Sequence, residues 1–142
     1  SVAANLLVVR LADALAASTF DANVPTCWVL EGLLHYLPGD ALDALLADIT
    51  IGSAPCRVLL SCITPAMAAR ASPAFGALVK LVREVPRRYD DSTSLAARFG
   101  AAGMTLTGYW DFAEQVRAFS PQSIGRDVTV SQDVARLDRG AP

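Results

Sequence analysis

The sequence has 142 residues, of which 53% are hydrophobic and 18% charged, and its formal net charge is −2. This length and composition suit one domain with a sizeable apolar core. The small negative charge gives no electrostatic reason to expect nucleic acid or an anionic membrane as a partner. Because no apolar run reaches the roughly 20 residues needed to span a bilayer, we expect no membrane segment.

The three cysteines are Cys27, Cys56 and Cys62, an odd number without metal-ligand spacing. We therefore expect reduced thiols that pack in the core, with Cys27 and Cys62 in buried strands, and a cytoplasmic or other reducing soluble compartment.

The first predicted element is an amphipathic helix over residues 5–18. Leu7, Leu11 and Leu15 recur at helical spacing, while Arg10 and Asp13 fall on the other side.

A predicted strand over residues 26–30 comes next and stops at Glu31 and Gly32. Its residues are continuously β-forming and largely apolar, which predicts a strand covered on both faces. Ligands of open α/β sheets bind at the carboxyl ends of strands, so Glu31 occupies a position where chemistry is expected. Residues 32–37 are expected to form one turn of helix.

A helix over residues 41–49 is predicted next, with Asp40 as its N-cap and with Asp43 and Asp48 facing water. Its core stripe comprises Leu42, Leu45, Leu46 and Ile49. A second buried strand over residues 57–63 completes a βαβ unit with a parallel pair of strands.

The second half of the chain gives weaker patterns. We expect helices over residues 66–71 and 73–85, and a further helix that is capped by Ser92 or Thr93 and ends at Gly100. An alternating segment over residues 104–110 predicts an antiparallel edge strand, and Asp111 is a candidate cap for a helix over residues 112–119. Residues 1–119 are then one partial domain, and residues 120–142, which hold few large apolar side chains, are expected to be a loose tail.

Residues 24–38 resemble a motif of the leucine carboxyl methyltransferase family, whose members depend on S-adenosylmethionine. The matching positions are Pro25, Thr26, Trp28, Glu31, Gly32, Leu33, Leu34, Tyr36, Leu37 and Pro38. The resemblance implies an α/β fold, namely the C-terminal half of a Rossmann-like methyltransferase sheet with helices on both faces.

The same resemblance implies methyl transfer from S-adenosylmethionine to an oxygen of a small-molecule or protein acceptor, either a carboxylate or a hydroxyl. It places Glu31 beside the cofactor and Tyr36 in the acceptor pocket. Two structural alternatives stay open, because Glu31 could merely favour the following helical turn and Tyr36 could be a core tyrosine.

Two departures from the family affect cofactor binding. Either Asn5-Leu6 or Leu6-Leu7 stands where family members carry an Asp-Leu pair, so that carboxylate is missing. The sequence also holds neither a glycine-rich turn after a first strand nor the ribose-binding acid. We therefore expect weak or absent cofactor binding by this chain alone. The competing hypothesis is a non-catalytic half-domain that serves as a structural or protein-interaction module, and in either case we expect self-association or a protein partner.

No catalytic residue can be assigned from the sequence. His35 is the single histidine and is expected to face solvent, with a role as general base as the alternative. No metal site or catalytic triad is predicted. Arg87 and Arg88 could attract a carboxylate, or could simply be solvated loop arginines.

Overall fold

The computed structural model describes residues 3–52, 54–71, 73–81, 86–111, 114–115 and 132–140. Within these ranges the chain forms α1 (Leu11–Ala16), β1 (Thr26–Leu30), α2 (Gly39–Ile49), β2 (Cys56–Cys62), α3 (Pro65–Arg70), α4 (Pro73–Leu81), α5 (Ser92–Ala101), β3 (Thr105–Trp110) and β4 (Asp133–Arg139), with a 3₁₀ turn at Leu34–Tyr36.

The four strands form one sheet in the order β1-β2-β4-β3. Strands β1 and β2 are parallel, as the predicted βαβ unit requires, and β4 runs antiparallel to both β2 and β3. The expected α/β fold class is confirmed. The prediction that residues 104–110 form an antiparallel edge strand is also confirmed, since β3 lies at one end of the sheet.

The core lies against one face of the sheet, here called the closed face. Its strand residues include Val58, Leu60, Ala135 and Leu137, all nearly inaccessible to solvent. The helices supply the other side of the core, which consists of Leu42, Leu45, Leu46 and Ile49 from α2 and Leu95 and Phe99 from α5. The predicted core stripe of α2 is therefore confirmed.

The opposite face, here called the open face, differs from the prediction. We expected β1 to be buried on both sides, yet Cys27 is exposed and Val29 is 68% exposed. The burial of β1 alternates along the strand because the core helices cover the closed face only, within the described residues. A continuous apolar run predicts two buried faces only if a second layer covers the strand. All three cysteines are free thiols, with Cys56 and Cys62 buried.

The prediction of a loose C-terminal tail is wrong for residues 133–139, which form the central strand β4. The segment holds few large apolar residues because only its alternate positions face the core, and Ala135 and Leu137 suffice there. Arg136 and Asp138 point to the open face and pair with each other. Residues 120–131 lie outside the described residues.

Several predicted helix ends are corrected. Helix α1 is shorter than residues 5–18, and residues 6–9 form turns before it. Asp40 is not the N-cap of α2, because the helix starts at Gly39 after Pro38 and Asp40 lies in its first turn. The cap of α5 is Asp91 rather than Ser92 or Thr93.

The expectation that Asp48 faces water is wrong. Asp48 is 2% exposed and accepts hydrogen bonds from the guanidinium of Arg10 and, at 3.1 Å, from the backbone N–H of Ala12. These bonds connect α2 to the start of α1 and hold the pKa of Asp48 below its ordinary value. Asp43 is exposed as expected, with an ion pair to Arg98.

Asp111 makes the predicted capping contact, since its carboxylate accepts a hydrogen bond of 2.9 Å from the backbone N–H of Glu114. Most of the predicted helix over residues 112–119 lies outside the described residues. No helix in the described ranges is long and apolar enough to cross a membrane.

Candidate functional site

The candidate site lies at the carboxyl ends of the parallel strands β1 and β2. After Leu30 the chain passes through Glu31 and turns at Gly32, whose φ of 64° favours glycine. The backbone N–H of Gly32 donates a 2.9 Å hydrogen bond to the hydroxyl of Ser61 near the end of β2. This contact fixes the turn that carries Glu31 against the neighbouring strand.

The two residues predicted for the site, Glu31 and Tyr36, follow β1 closely. Glu31 is exposed, and its carboxylate has no hydrogen-bond or ion-pair partner within the described residues. Tyr36 is half-buried in the 3₁₀ turn, and its ring centroid lies 4.2 Å from that of His35. Their roles in cofactor and acceptor binding stay predictions.

His35 does not face solvent, which corrects the sequence-based expectation. Its side chain is buried at 3% exposure, and its Nδ1 atom has no hydrogen-bond partner in the described structure. Burial lowers the pKa of His35, and the charge of Asp90 opposes this shift only in part. The imidazole is therefore neutral at pH 7. The 3₁₀ turn places His35 next to Leu34, and both are buried. Hydrophobic periodicity over so short a segment does not predict which side chains face inwards.

Residues 86–91, here called the edge strap, cross the carboxyl ends of both strands. The backbone N–H of Arg87 donates to the carbonyl of His35 at 2.6 Å, and that of Asp90 donates to the carbonyl of Ile63 at 3.0 Å. The strap therefore joins the turn after β1 to the residue that follows β2.

Two side chains of the edge strap form an ion pair with each other. The Arg88 guanidinium donates two hydrogen bonds of 2.6 Å to the carboxylate of Asp90. The side chains are only 17% and 4% exposed, so this pair is shielded from water more than surface pairs are. The next acid, Asp91, forms a capping box with Ser94 at the start of α5.

A second polar cluster lies at the same end of the sheet, on β2, β3 and β4. The Tyr109 hydroxyl donates to the Asp133 carboxylate at 2.7 Å, and the Cys62 sulfur lies 4.0 Å from that hydroxyl. Burial raises the pKa of Cys62 to about 11 and also raises that of Tyr109. Cys62 is thus a neutral thiol and no nucleophile at pH 7.

Three polar residues near this edge were absent from the predicted site, namely Asp90, Tyr109 and Asp133. Of the two arginines considered for carboxylate binding, Arg88 is paired with Asp90. Loop polar residues and an acid in an apparent tail carry no periodic signal, because contacts between distant segments bring them together. No described group of three or more His, Cys, Asp or Glu residues is placed to hold a metal ion.

A cavity of about 520 Å³ opens at the opposite, amino end of β1 and β2. Arg57, Arg136 and Asp138 line it, and the carboxylate of Asp138 pairs with both arginines. Since ligands of open α/β sheets bind at the carboxyl ends, this cavity does not mark the predicted methyl-transfer site.

Comparison with known proteins supports the resemblance found in the motif. Residues 1–50 match the family model described as leucine carboxyl methyltransferase. The predicted resemblance to this family is therefore confirmed over this segment, which contains the whole motif from Pro25 to Pro38.

Individual relatives match over segments about as long as the one that the family model matches. A protein of Mycobacteroides abscessus, named "Putative S-adenosyl-L-methionine-dependent methyltransferase", is 60% identical over 42 residues, which are 30% of this chain and 14% of that protein. A protein of the same name from Mycolicibacterium gilvum is 50% identical over 52 residues, covering 37% of this chain and 17% of its own. The matched segment thus spans under a fifth of the length of these relatives.

A solved structure extends the likeness in fold. A DUF574 family protein from Streptomyces avermitilis aligns with 96% of this chain and 53% of its own, with a TM-score of 0.61 and 21% identity. At that identity the likeness concerns the fold alone.

Proposed function

We propose that this chain is the part of an S-adenosylmethionine-dependent O-methyltransferase that forms the acceptor pocket and contributes one contact to the cofactor. The observation that carries the proposal is Glu31, whose exposed carboxylate is free of described partners at the carboxyl end of β1. The family match over residues 1–50 supports the reaction class. The choice of oxygen as the acceptor atom rests on the family resemblance.

The residues at this edge fit a cofactor with amino and hydroxyl donors. A free carboxylate accepts hydrogen bonds from such groups and complements a nearby positive charge. Gly32 and Ser61 hold the turn that carries Glu31, so the carboxylate needs little rearrangement to bind. When bound, S-adenosylmethionine would supply a methyl group already activated by its positive sulfonium.

The remaining task for the protein is to position the acceptor oxygen and exclude water. In this proposal Tyr36 lines the acceptor pocket, and the edge strap closes the carboxyl ends of the strands. A carboxylate acceptor needs no base, whereas a hydroxyl acceptor would need one. Since no exposed base has been assigned, the proposal favours a carboxylate. The glycine-rich turn and the ribose-binding acid would come from outside these 142 residues.

The test uses Glu31→Gln in the longest form of the protein that its gene encodes. Gln keeps the size of the side chain but loses the charge, so cofactor affinity should fall by about 1.5–3 kcal/mol, the usual value of a hydrogen bond to a charged group. Calorimetric titration with S-adenosylmethionine measures this change, and thermal unfolding checks the fold. Asp13→Asn, at an exposed acid on α1, is the matched control.

Unchanged cofactor affinity beside a lowered thermal midpoint would show that Glu31 only favours the following helical turn. The 142-residue chain alone should bind the cofactor more weakly than micromolar, and micromolar affinity or better would contradict that expectation.

The second candidate function is a non-catalytic interaction module. Two exposed apolar residues favour it, namely Val29 on β1 at 68% exposure and Val24 just before β1 at 54% exposure. Self-association without any cofactor binding by the longest form would support this module instead of the methyltransferase.

A further inference from the structure

The charged residues of the edge strap divide into those with a structural partner and one without. Arg88 and Asp90 bind each other, and Asp91 caps α5. Arg87 is exposed, and its guanidinium has no hydrogen-bond or ion-pair partner within the described residues. Among the described residues, Arg87 is thus the cation of the strap that has no partner.

The backbone of Arg87 is nevertheless held firmly in place. Its N–H bonds to the carbonyl of His35 at 2.6 Å, and the bond from Asp90 to Ile63 fixes the strap on the other side. His35 lies four residues beyond Glu31, so Arg87 is attached to the 3₁₀ turn that closely follows this acid. A guanidinium on a fixed backbone loses less freedom on binding than one on a mobile loop.

Arg87 also differs in charge from the neighbouring basic side chains. His35 is neutral at pH 7 because burial lowers its pKa. Arg88 is neutralised by Asp90 at 2.6 Å. Within the described part of the chain, Arg87 therefore provides the unpaired positive charge of the strap. Its planar fork of N–H donors matches the two oxygens of a carboxylate.

We infer that Arg87 is a specificity-determining residue that binds a carboxylate group of the acceptor at the carboxyl edge of β1. This inference rests on the proposed function for the identity of the reaction, but carboxylate binding itself requires no cofactor. It assigns Arg87 and Glu31 to different ligands, the cation to the acceptor and the acid to the cofactor. Their opposite charges suit those ligands.

The experiment is a ¹H–¹⁵N NMR titration of the 142-residue chain with N-acetyl-leucine, which carries one free carboxylate. The uncharged N-acetyl-leucinamide is the matched probe. We expect the acid to shift the resonances of residues 86–91 and of the turn after β1, with a dissociation constant in the millimolar range, and the amide to leave them unchanged.

Three variants assign the effect to its side chain. Arg87→Ala should weaken binding about tenfold, as expected for the loss of a hydrogen bond between charged groups. Arg87→Lys keeps the charge without the fork and should fall between Ala and the wild type. Arg57→Ala removes an exposed arginine at the other end of β2 and should leave the affinity unchanged.

The inference is overturned by equal shifts with acid and amide, by equal affinity in wild type and Arg87→Ala, by shifts confined to the cavity around Arg57, or by no shift in the tens-of-millimolar range. Because the titration contains no cofactor, carboxylate binding by Arg87 can hold even if the Glu31 experiment removes the methyltransferase proposal. The Glu31 effect can equally hold if Arg87 binds nothing.

Discussion

The two faces of the sheet have opposite chemistry although the same four strands build them. On the closed face, Val58 and Leu137 are fully buried against Leu42 and Phe99. On the open face, their neighbours in sequence, Arg57 and Asp138, form an ion pair. Alternation along each strand separates these two sets.

The open face is itself divided. Its β2-β4-β3 part carries Arg57, Arg136, Asp138 and Thr107, whose side chains are joined by hydrogen bonds. Its β1 part carries Cys27 and Val29, which offer water no polar group. Val134 on β4 and Trp110 on β3 are also exposed, at 39% and 38%, so it is the larger exposure of Val29 that favours β1 as a partner surface.

The largest expected difference between the faces is in the cost of removing a side chain. Phe99→Ala deletes a ring that is fully buried in the core, and it should lower the free energy of unfolding by about 3–5 kcal/mol. Val29→Ala on the open face should change it by less than about 0.5 kcal/mol. Urea unfolding followed by circular dichroism measures both values.

Similar losses for the two variants would mean that β1 is covered in solution. In that case the open face would be part of a second packed layer. If Phe99→Ala prevents folding altogether, the milder Leu95→Val should still cost more than Val29→Ala, because Leu95 is 1% exposed.

The second expected difference concerns two carboxylates, one buried and one on the open face. Asp48→Asn removes a charge that accepts hydrogen bonds from Arg10 and Ala12, and it should cost about 1–3 kcal/mol. Asp138→Asn disturbs pairs that water can partly replace, and about 0–1 kcal/mol is expected. Equal costs would contradict the division between the faces.

The pH dependence of stability gives an independent measurement of these carboxylates. Both pKa values lie below the ordinary 3.8, that of Asp138 at about 2. The folded state therefore gains stability above the ordinary pKa and loses it as the pH falls through the folded-state value. Each Asn variant should show a shallower acid loss than the wild type in urea unfolding between pH 7 and strongly acidic pH.

The sequence predicted the closed face better than the open one. The spacing of Leu42, Leu45 and Leu46 specified the buried side of α2 because one helix face packs on one core. The motif likewise located β1 and Glu31. Nothing within β1 itself revealed that only one of its faces is covered, since coverage depends on elements elsewhere.

Errors also arose where long-range pairing outweighs local pattern. Asp48 is buried because Arg10, distant in sequence, neutralises it. Residues 133–139 resemble a tail, but their two apolar positions complete the sheet between β2 and β3. At the candidate site, His35 and the edge strap meet only in the folded chain, so their contact could not be read from spacing.

The smallest expected effect on stability belongs to a test of the β1 edge. In the described part of the sheet, β1 pairs with β2 alone, and its other edge is unpaired beside exposed Val29. Unpaired edges with apolar neighbours promote association, and an added lysine opposes it. Val29→Lys should therefore reduce self-association while changing the free energy of unfolding by less than about 0.5 kcal/mol.

Sedimentation velocity over a range of protein concentrations measures this effect. Thr105→Lys is the matched control, because it places the same charge at an exposed position on β3, at the far edge of the sheet. We expect the control to associate like the wild type and Val29→Lys to shift towards monomer. Equal association of all three proteins would place the contact elsewhere. A wild type that stays monomeric and unfolds cooperatively would show that the β1 edge needs no partner. The division of the open face would then have no consequence for assembly.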